Sequence, residues 1–248
     1  MRAPATAEVR DLVLSALTVS SGAIDAISFI ALGHVFSAFM TGNVAFLGLR
    51  LAGDPAPSAE AILGAMGAFA AGVYASTLIV KPSDQTSLWP HRVTVALGAS
   101  LIPHAVFLAV WIAVGAAPST NVAHVLLALW GLAMGMQSAA VRRLRVDGVF
   151  TTAATATVIV LVGDLTNWSA TGAERRRLTG VLVSLFAGAT AGGLLLAHAY
   201  AYAPLLPLAM TIAAVATAAI FLRENDAAPN VSRPSRPPSA TSASLRVL

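Results

Sequence analysis

The sequence contains no cysteine, and of its 15 basic residues only Lys81 is a lysine. Without cysteine it has neither a disulfide framework nor a thiolate metal site. Charge of either sign is scarce. Asp, Glu, Lys and Arg make up 10% of the 248 residues, against roughly 25% in a soluble domain. That deficit excludes a surface that faces water on all sides. The five histidines, at 34, 91, 104, 124 and 198, are scattered with no H-x-x-x-H spacing, so no metal is expected. The sequence also lacks a P-loop, H-E-x-x-H, G-x-S-x-G and G-x-G-x-x-G. An ATPase or a standard hydrolase is thereby excluded, and neither an enzyme activity nor a cofactor is expected.

What is present is apolar, with 57% of the residues hydrophobic. Six runs, 12–32, 58–80, 93–114, 120–141, 179–198 and 203–222, are long enough to cross a bilayer at about 20 residues each. Two further segments, 35–51 and 149–163, are shorter or more polar, and each either crosses or enters and turns back. The first of the six follows residues 1–11 with no small-residue cleavage site after it, which reads as an uncleaved span. The 224–248 tail is rich in Pro, Ser, Ala and Arg and is expected to be disordered.

The net charge of +4 does not point to nucleic acid, because the arginines sit in short clusters between apolar runs, as in cytoplasmic loops. Their placement separates two topologies. With six spans and an internal N-terminus, 14 basic residues fall inside and only Arg50 outside. With eight spans the split is ten to five. The positive-inside rule selects six, with both termini and the 142–145 loop in the cytoplasm of a bacterial inner membrane.

The chain repeats itself. The segment Gly22-Ala-Ile-Asp25-Ala26, then Val35-Phe36, then Thr41-Gly42-Asn43, is followed in the second half by Gly135-Met-Gln137-Ser-Ala139, then Val149-Phe150, then Thr155-Ala156-Thr157, with Gly22 and Ala26 matching Gly135 and Ala139 at an offset of 113 and the later pairs at 114. Gly64, Ala68 and Gly72 match Gly180, Ser184 and Gly188 at an offset of 116. Each half, 12–114 and 120–222, thus reads as span, short polar segment, span, span. Three true spans per half would insert the second half upside down, as in many secondary transporters.

Asp25 is the one ionisable residue deep in the first span, on a stripe of Ser15, Thr18, Ser21, Gly22 and Ser28 at spacings of three and four. An aspartate at a helix centre costs roughly 2.5–3.5 kcal/mol and commonly marks an ion or solute path or a local structural contact. Thr41, Gly42 and Asn43 combine a hydroxyl, an amide and a glycine that permits an unusual turn or close packing. Gln137, Thr155 and Thr157 hold the corresponding places in the second half, without an acid. These seven residues are the candidate solute or ion ligands. Gly22, Gly64, Gly72, Gly135, Gly180, Ser184, Gly188 and Gly192 are expected to let helices approach closely. Arg142, Arg143, Arg145 and the cluster Arg175, Arg176, Arg177 are expected to anchor the topology.

Ser21-Gly22-Ala-Ile-Asp25-Ala, Gly33-His-Val-Phe36, Met40-Thr41-Gly42-Asn43 and Gly135-Met-Gln137-Ser-Ala-Ala resemble the YoaK-like bacterial family over residues 10–222. The resemblance implies a small multipass inner-membrane protein and supplies no substrate. It also leads one to expect Thr-Gly where this chain has Thr155-Ala156, which weakens a second backbone break. The expected architecture is an all-helical bundle of six spans and two short polar segments, with eight spans as the alternative. The expected function is a secondary permease for a small solute, with Asp25 as the proton-coupling group. A non-transporting assembly or partner protein is the alternative. The partners expected are the lipid bilayer and a small molecule or ion, with self-association left open.

Overall fold

A computed structural model describes residues 6–54, 57–80, 89–144, 157–159, 162–163 and 172–222. The 224–248 tail, Arg145, Thr155 and Ala156 lie outside the described residues. Seven helices are delimited: α1 (Thr6–Ala31), α2 (Met40–Leu51), α3 (Ala59–Ile79), α4 (His91–Ala113), α5 (Thr120–Arg142), α6 (Gly172–His198) and α7 (Leu205–Phe221), the last preceded by a 3-10 turn, Tyr200–Tyr202. Residues 157–159 and 162–163 of the second polar segment are also helical, and no strand occurs among the described residues.

Six helices, all but α2, are long and apolar enough to cross a membrane when the 3-10 turn is counted with α7. At 1.5 Å per residue they reach across a core about 30 Å thick. The 12 residues of α2 span only about 18 Å, so this segment is a short helix and not a seventh crossing. Large apolar side chains such as Leu63, Ile102, Ile112, Phe186 and Ile220 are exposed on the outer surface, where hydrocarbon rather than water would meet them.

Helix ends follow local chemistry. Ser58 caps α3, its Oγ accepting from the Ala61 N–H at 3.2 Å. α1 stops where Gly33 (φ 99°) and His34 (φ 62°) adopt the left-handed conformation, with the His34 N–H donating back to the Phe29 carbonyl at 3.1 Å. The core divides into two apolar layers. One gathers the start of α1, the end of α3, the start of α4, the end of α5, the start of α6 and the end of α7. The other gathers the opposite ends. The six long helices therefore alternate in direction, and Arg10, Arg92, Arg142, Arg143, Arg175, Arg176 and Arg177 share one end of the bundle. Between the apolar layers lie buried polar or small residues: Thr18, Ser20, Ser21, Ser76, Ser100, His104, Gln137 and Thr211.

α1 packs against α6 and α7, whereas α5 packs against α3 and α4. Small residues make the crossings. A Cβ on Gly22 would strike the Leu185 carbonyl, and one on Gly188 would strike that of Val19. At the other crossing, Gly135 meets the Phe69 carbonyl and Gly72 that of Leu132 in the same way. Gly192 also packs closely, on Ala23. Gly64 and Gly180 do not: a Cβ at Gly64 meets nothing within 4 Å, and one at Gly180 meets only the Ser15 Oγ at 3.9 Å. Crossed helices approach closely over about two turns and then diverge, so a stripe of small residues need not be in contact throughout. Ser184 is half-buried beside the α1–α6 crossing.

Candidate functional site

The site is built where α1 ends. After the left-handed turn at Gly33 and His34 the chain passes through bends at Ser37 and Ala38 to Phe39 and then enters α2. The segment 36–38 has no helical partners for its backbone, and side chains supply them. The Asp25 Oδ1 accepts from the Ser37 N–H at 3.0 Å and the Ala38 N–H at 2.7 Å. The Asn43 side chain meets Phe36 on both sides. Its Oδ1 accepts from the Phe36 N–H at 3.0 Å, and its Nδ2 donates to the Phe36 carbonyl at 2.7 Å. The hydroxyls of Ser28 and Ser37 lie 2.8 Å apart. Asp25 of α1 and Asn43 of α2 thus fix three consecutive residues between them.

Beside this segment a cavity of about 400 Å³ opens between α1 and α6. Ser21, Asp25, Phe29 and Ile30 come from α1, Phe36 and Phe39 from the connection, and Leu185 and Ala189 from α6. The Ser37 and Ala38 amides bonded to Oδ1 hold Asp25 at the edge of this cavity. Ser21 is buried, and its Oγ has no hydrogen-bond partner among the described residues. The rings form a continuous wall. Phe29 and Phe36 stack at 5.0 Å between centroids, and Phe36 and Phe39 meet edge to face at 5.3 Å. Among the described residues no group of His, Cys, Asp or Glu is arranged to hold a metal.

A family described as "Protein of unknown function (DUF1275)" matches residues 13–218, from the first turns of α1 into α7. The chain belongs to the DUF1275 family. It is similar to the UPF0700 transmembrane protein YoaK of Bacillus subtilis (strain 168), 34% identical over 159 residues that cover 64% of this chain and 68% of that one. No solved structure matches it. Both comparisons agree with the resemblance seen in the sequence, and the likeness to YoaK adds only that the relative is a transmembrane protein.

In this DUF1275 protein the candidate ligands separate. Asp25 and Asn43 act on the same segment. Thr41 is exposed on α2 and does not line the cavity. Gly42 sits in the first turn of α2, and the unusual turn it was expected to permit falls instead at Gly33 and His34. Gly42 serves close packing, since a Cβ there would come within 2.7 Å of the Phe39 ring and 2.9 Å of the Phe36 ring. Gln137 is buried and donates to the Leu17 carbonyl at 3.2 Å. Leu17 lies eight residues before Asp25, about 12 Å along α1, so Gln137 stands apart from the cavity. Thr157 is buried and is not part of the wall.

Sequence reasoning missed the aromatic wall. Phenylalanine in an apolar chain looks like any other membrane-facing residue. A signal was there, because four of the nine phenylalanines, 29, 36, 39 and 46, fall within 18 residues that also contain Asn43.

Proposed function

We propose that this chain is a secondary permease for a small solute in the bacterial inner membrane. In this reading the cavity at Asp25 is the solute site, and Asp25 carries the proton that couples transport. The observation that carries the reading is a cavity reaching a carboxylate within a transmembrane helix. Such a group is costly in a membrane and is normally retained for a path or a partner.

The reading includes two inverted halves. The matched crossings support it: Gly22 and Gly135 are 113 residues apart and Gly72 and Gly188 are 116 apart, the offsets of the sequence repeat. Each crossing joins one helix from each half. Rocking of one half against the other at these crossings would then expose the cavity to alternate sides. The shared end of the arginines supports a cytoplasmic location for both termini.

Among the described residues no other ionisable group lines the cavity. His34, edge-on to Phe29 at 5.1 Å, is exposed outside it. α6 carries Arg175, Arg176, Arg177 and His198 at its ends, α5 likewise has His124 and Arg142 toward its ends, and α7 has no titratable side chain. Coupling therefore rests on Asp25. Purified protein in proteoliposomes should show solute flux driven by an imposed pH gradient, and Asp25→Asn should remove the pH dependence while the protein stays folded. The asparagine oxygen still accepts from Ser37 and Ala38. Absence of any Asp25-dependent flux of solute or proton would sink the permease.

One observation favours the non-transporting alternative. Asp25 spends Oδ1 on two backbone amides, which a purely structural acid would also do. In that case Asp25→Asn should lower thermal stability and leave no transport to lose.

A further inference from the structure

Resting on the reading of this cavity as a solute site, we infer that it takes a monovalent organic cation with an apolar body, such as a protonated amine carrying one ring or a short alkyl group. Four observations converge. The first is charge. Asp25 lines the cavity, and among the described residues no cationic side chain lines it or pairs with Asp25. A carboxylate held away from water needs a compensating charge, and a cationic solute provides one.

The second is the wall. Phe29, Phe36 and Phe39 line the same cavity as Asp25. Aromatic faces attract a cation within about 6 Å of the ring centre and also accept an apolar body. The third is Ser21, which lines the cavity and whose buried hydroxyl has no hydrogen-bond partner among the described residues. The fourth is size: about 400 Å³ sits at the small end of ligand pockets, roughly 300–1,000 Å³.

The same features reject other classes. An anion would face Asp25 with no positive group to hold it. A sugar would find two polar side chains for many hydroxyls and would leave most of them unpaired. A hard metal ion seeks about six oxygen ligands and finds an aromatic wall. Because one carboxylate balances one positive charge, the cation and a proton exclude each other, and the exchange of one for the other follows from the site itself.

The test uses three probes of matched shape: benzyltrimethylammonium, its neutral isostere neopentylbenzene, and the anion 3-phenylpropionate. The full chain in lipid nanodiscs should bind radiolabelled benzyltrimethylammonium saturably, and neither other probe should displace it. Asp25→Asn should weaken binding by at least about tenfold and Phe39→Leu by about threefold, the scale of a lost charge pair and a lost aromatic face. If Asp25→Asn does not fold, Phe39→Leu decides alone, since Phe39 is partly exposed and leucine keeps its apolar bulk. Displacement by the neutral or anionic probe, unchanged affinity in a folded variant, or no saturable binding would each overturn the cation assignment. Asp25-dependent flux in proteoliposomes without cation binding would leave the permease standing and remove its cation. Cation binding without flux would do the reverse.

Discussion

Asn43 shows how much one side chain can decide. Its amide satisfies both the N–H and the carbonyl of Phe36, and so fixes a ring of the cavity wall through that residue's backbone. Asn43→Ala removes both bonds, at a cost of about 2 kcal/mol, and should lower the melting temperature in detergent by several degrees. Asn43→Asp should fall between wild type and alanine, because a carboxylate still accepts from the N–H but has no donor for the carbonyl. Equal melting of all three proteins would show that the 33–39 segment holds itself. His104 presents the opposite case. It is buried in α4, and neither ring nitrogen has a partner among the described residues. Unpaired buried polar groups cost roughly 1–3 kcal/mol, so His104→Leu should raise the melting temperature; a fall would reveal a partner for the ring. Asp25 and Asn43 were legible in the sequence because polar groups at membrane depth demand an explanation. The phenylalanines were not, since their role depends on which ring faces the carboxylate, and the repeat pattern is silent on that.

The long helices were legible as elements because hydrophobic length alone specifies a span. Those predicted at 12–32, 58–80, 93–114 and 120–141 agree with α1, α3, α4 and α5 to within a few residues, apart from an extra turn and a half at the start of α1. α6 begins at Gly172 rather than at 179, because Arg175, Arg176 and Arg177 are helical but too polar to register as membrane core. The start of α2 was not legible. Phe39 stands at its N-cap with no side-chain bond, and Asp25, reached from α1, bonds the amides of Ser37 and Ala38 just before it. Negative charge is favourable near a helix N-terminus, but a carboxylate brought there across 13 residues by another helix leaves no local signature. Glycine spacing likewise identified close packing without saying which residues in a stripe take part. Gly188→Leu should unfold the bundle or lower its stability by about 3 kcal/mol or more, because the obstacle is backbone and cannot move aside. Gly64→Leu should be tolerated, since open space surrounds it. Thermal melts of the two variants test this contrast, and equal effects would contradict the crossing geometry.

For the whole molecule, the proposed orientation rests on the arginine-rich end. A single cysteine at Arg143, added to a chain that has none of its own, should resist an impermeant thiol reagent in intact cells and react after permeabilisation. Labelling from outside would reverse the proposed topology. The number of spans could be read from charge counting, but the pairing of helices could not, since hydropathy carries no information on which faces meet. That pairing bears on how the protein is made. α1 leaves the ribosome first, yet its neighbours are α6 and α7, and α6 is complete only at His198. About 170 residues must be synthesised after α1 emerges, which takes roughly 10–30 s at 5–20 residues per second. α3, α4 and α5 can associate as they appear, so the second crossing is built during translation. Throughout that interval the first helix waits in the bilayer, with Gly22 uncovered and much of its serine-lined face unpartnered. The carboxylate has only the short loop after it for company. The helix that carries the membrane-depth acid is thus the longest without its partners, and a chain cut after α5 would leave it an orphan for the cell's membrane quality control.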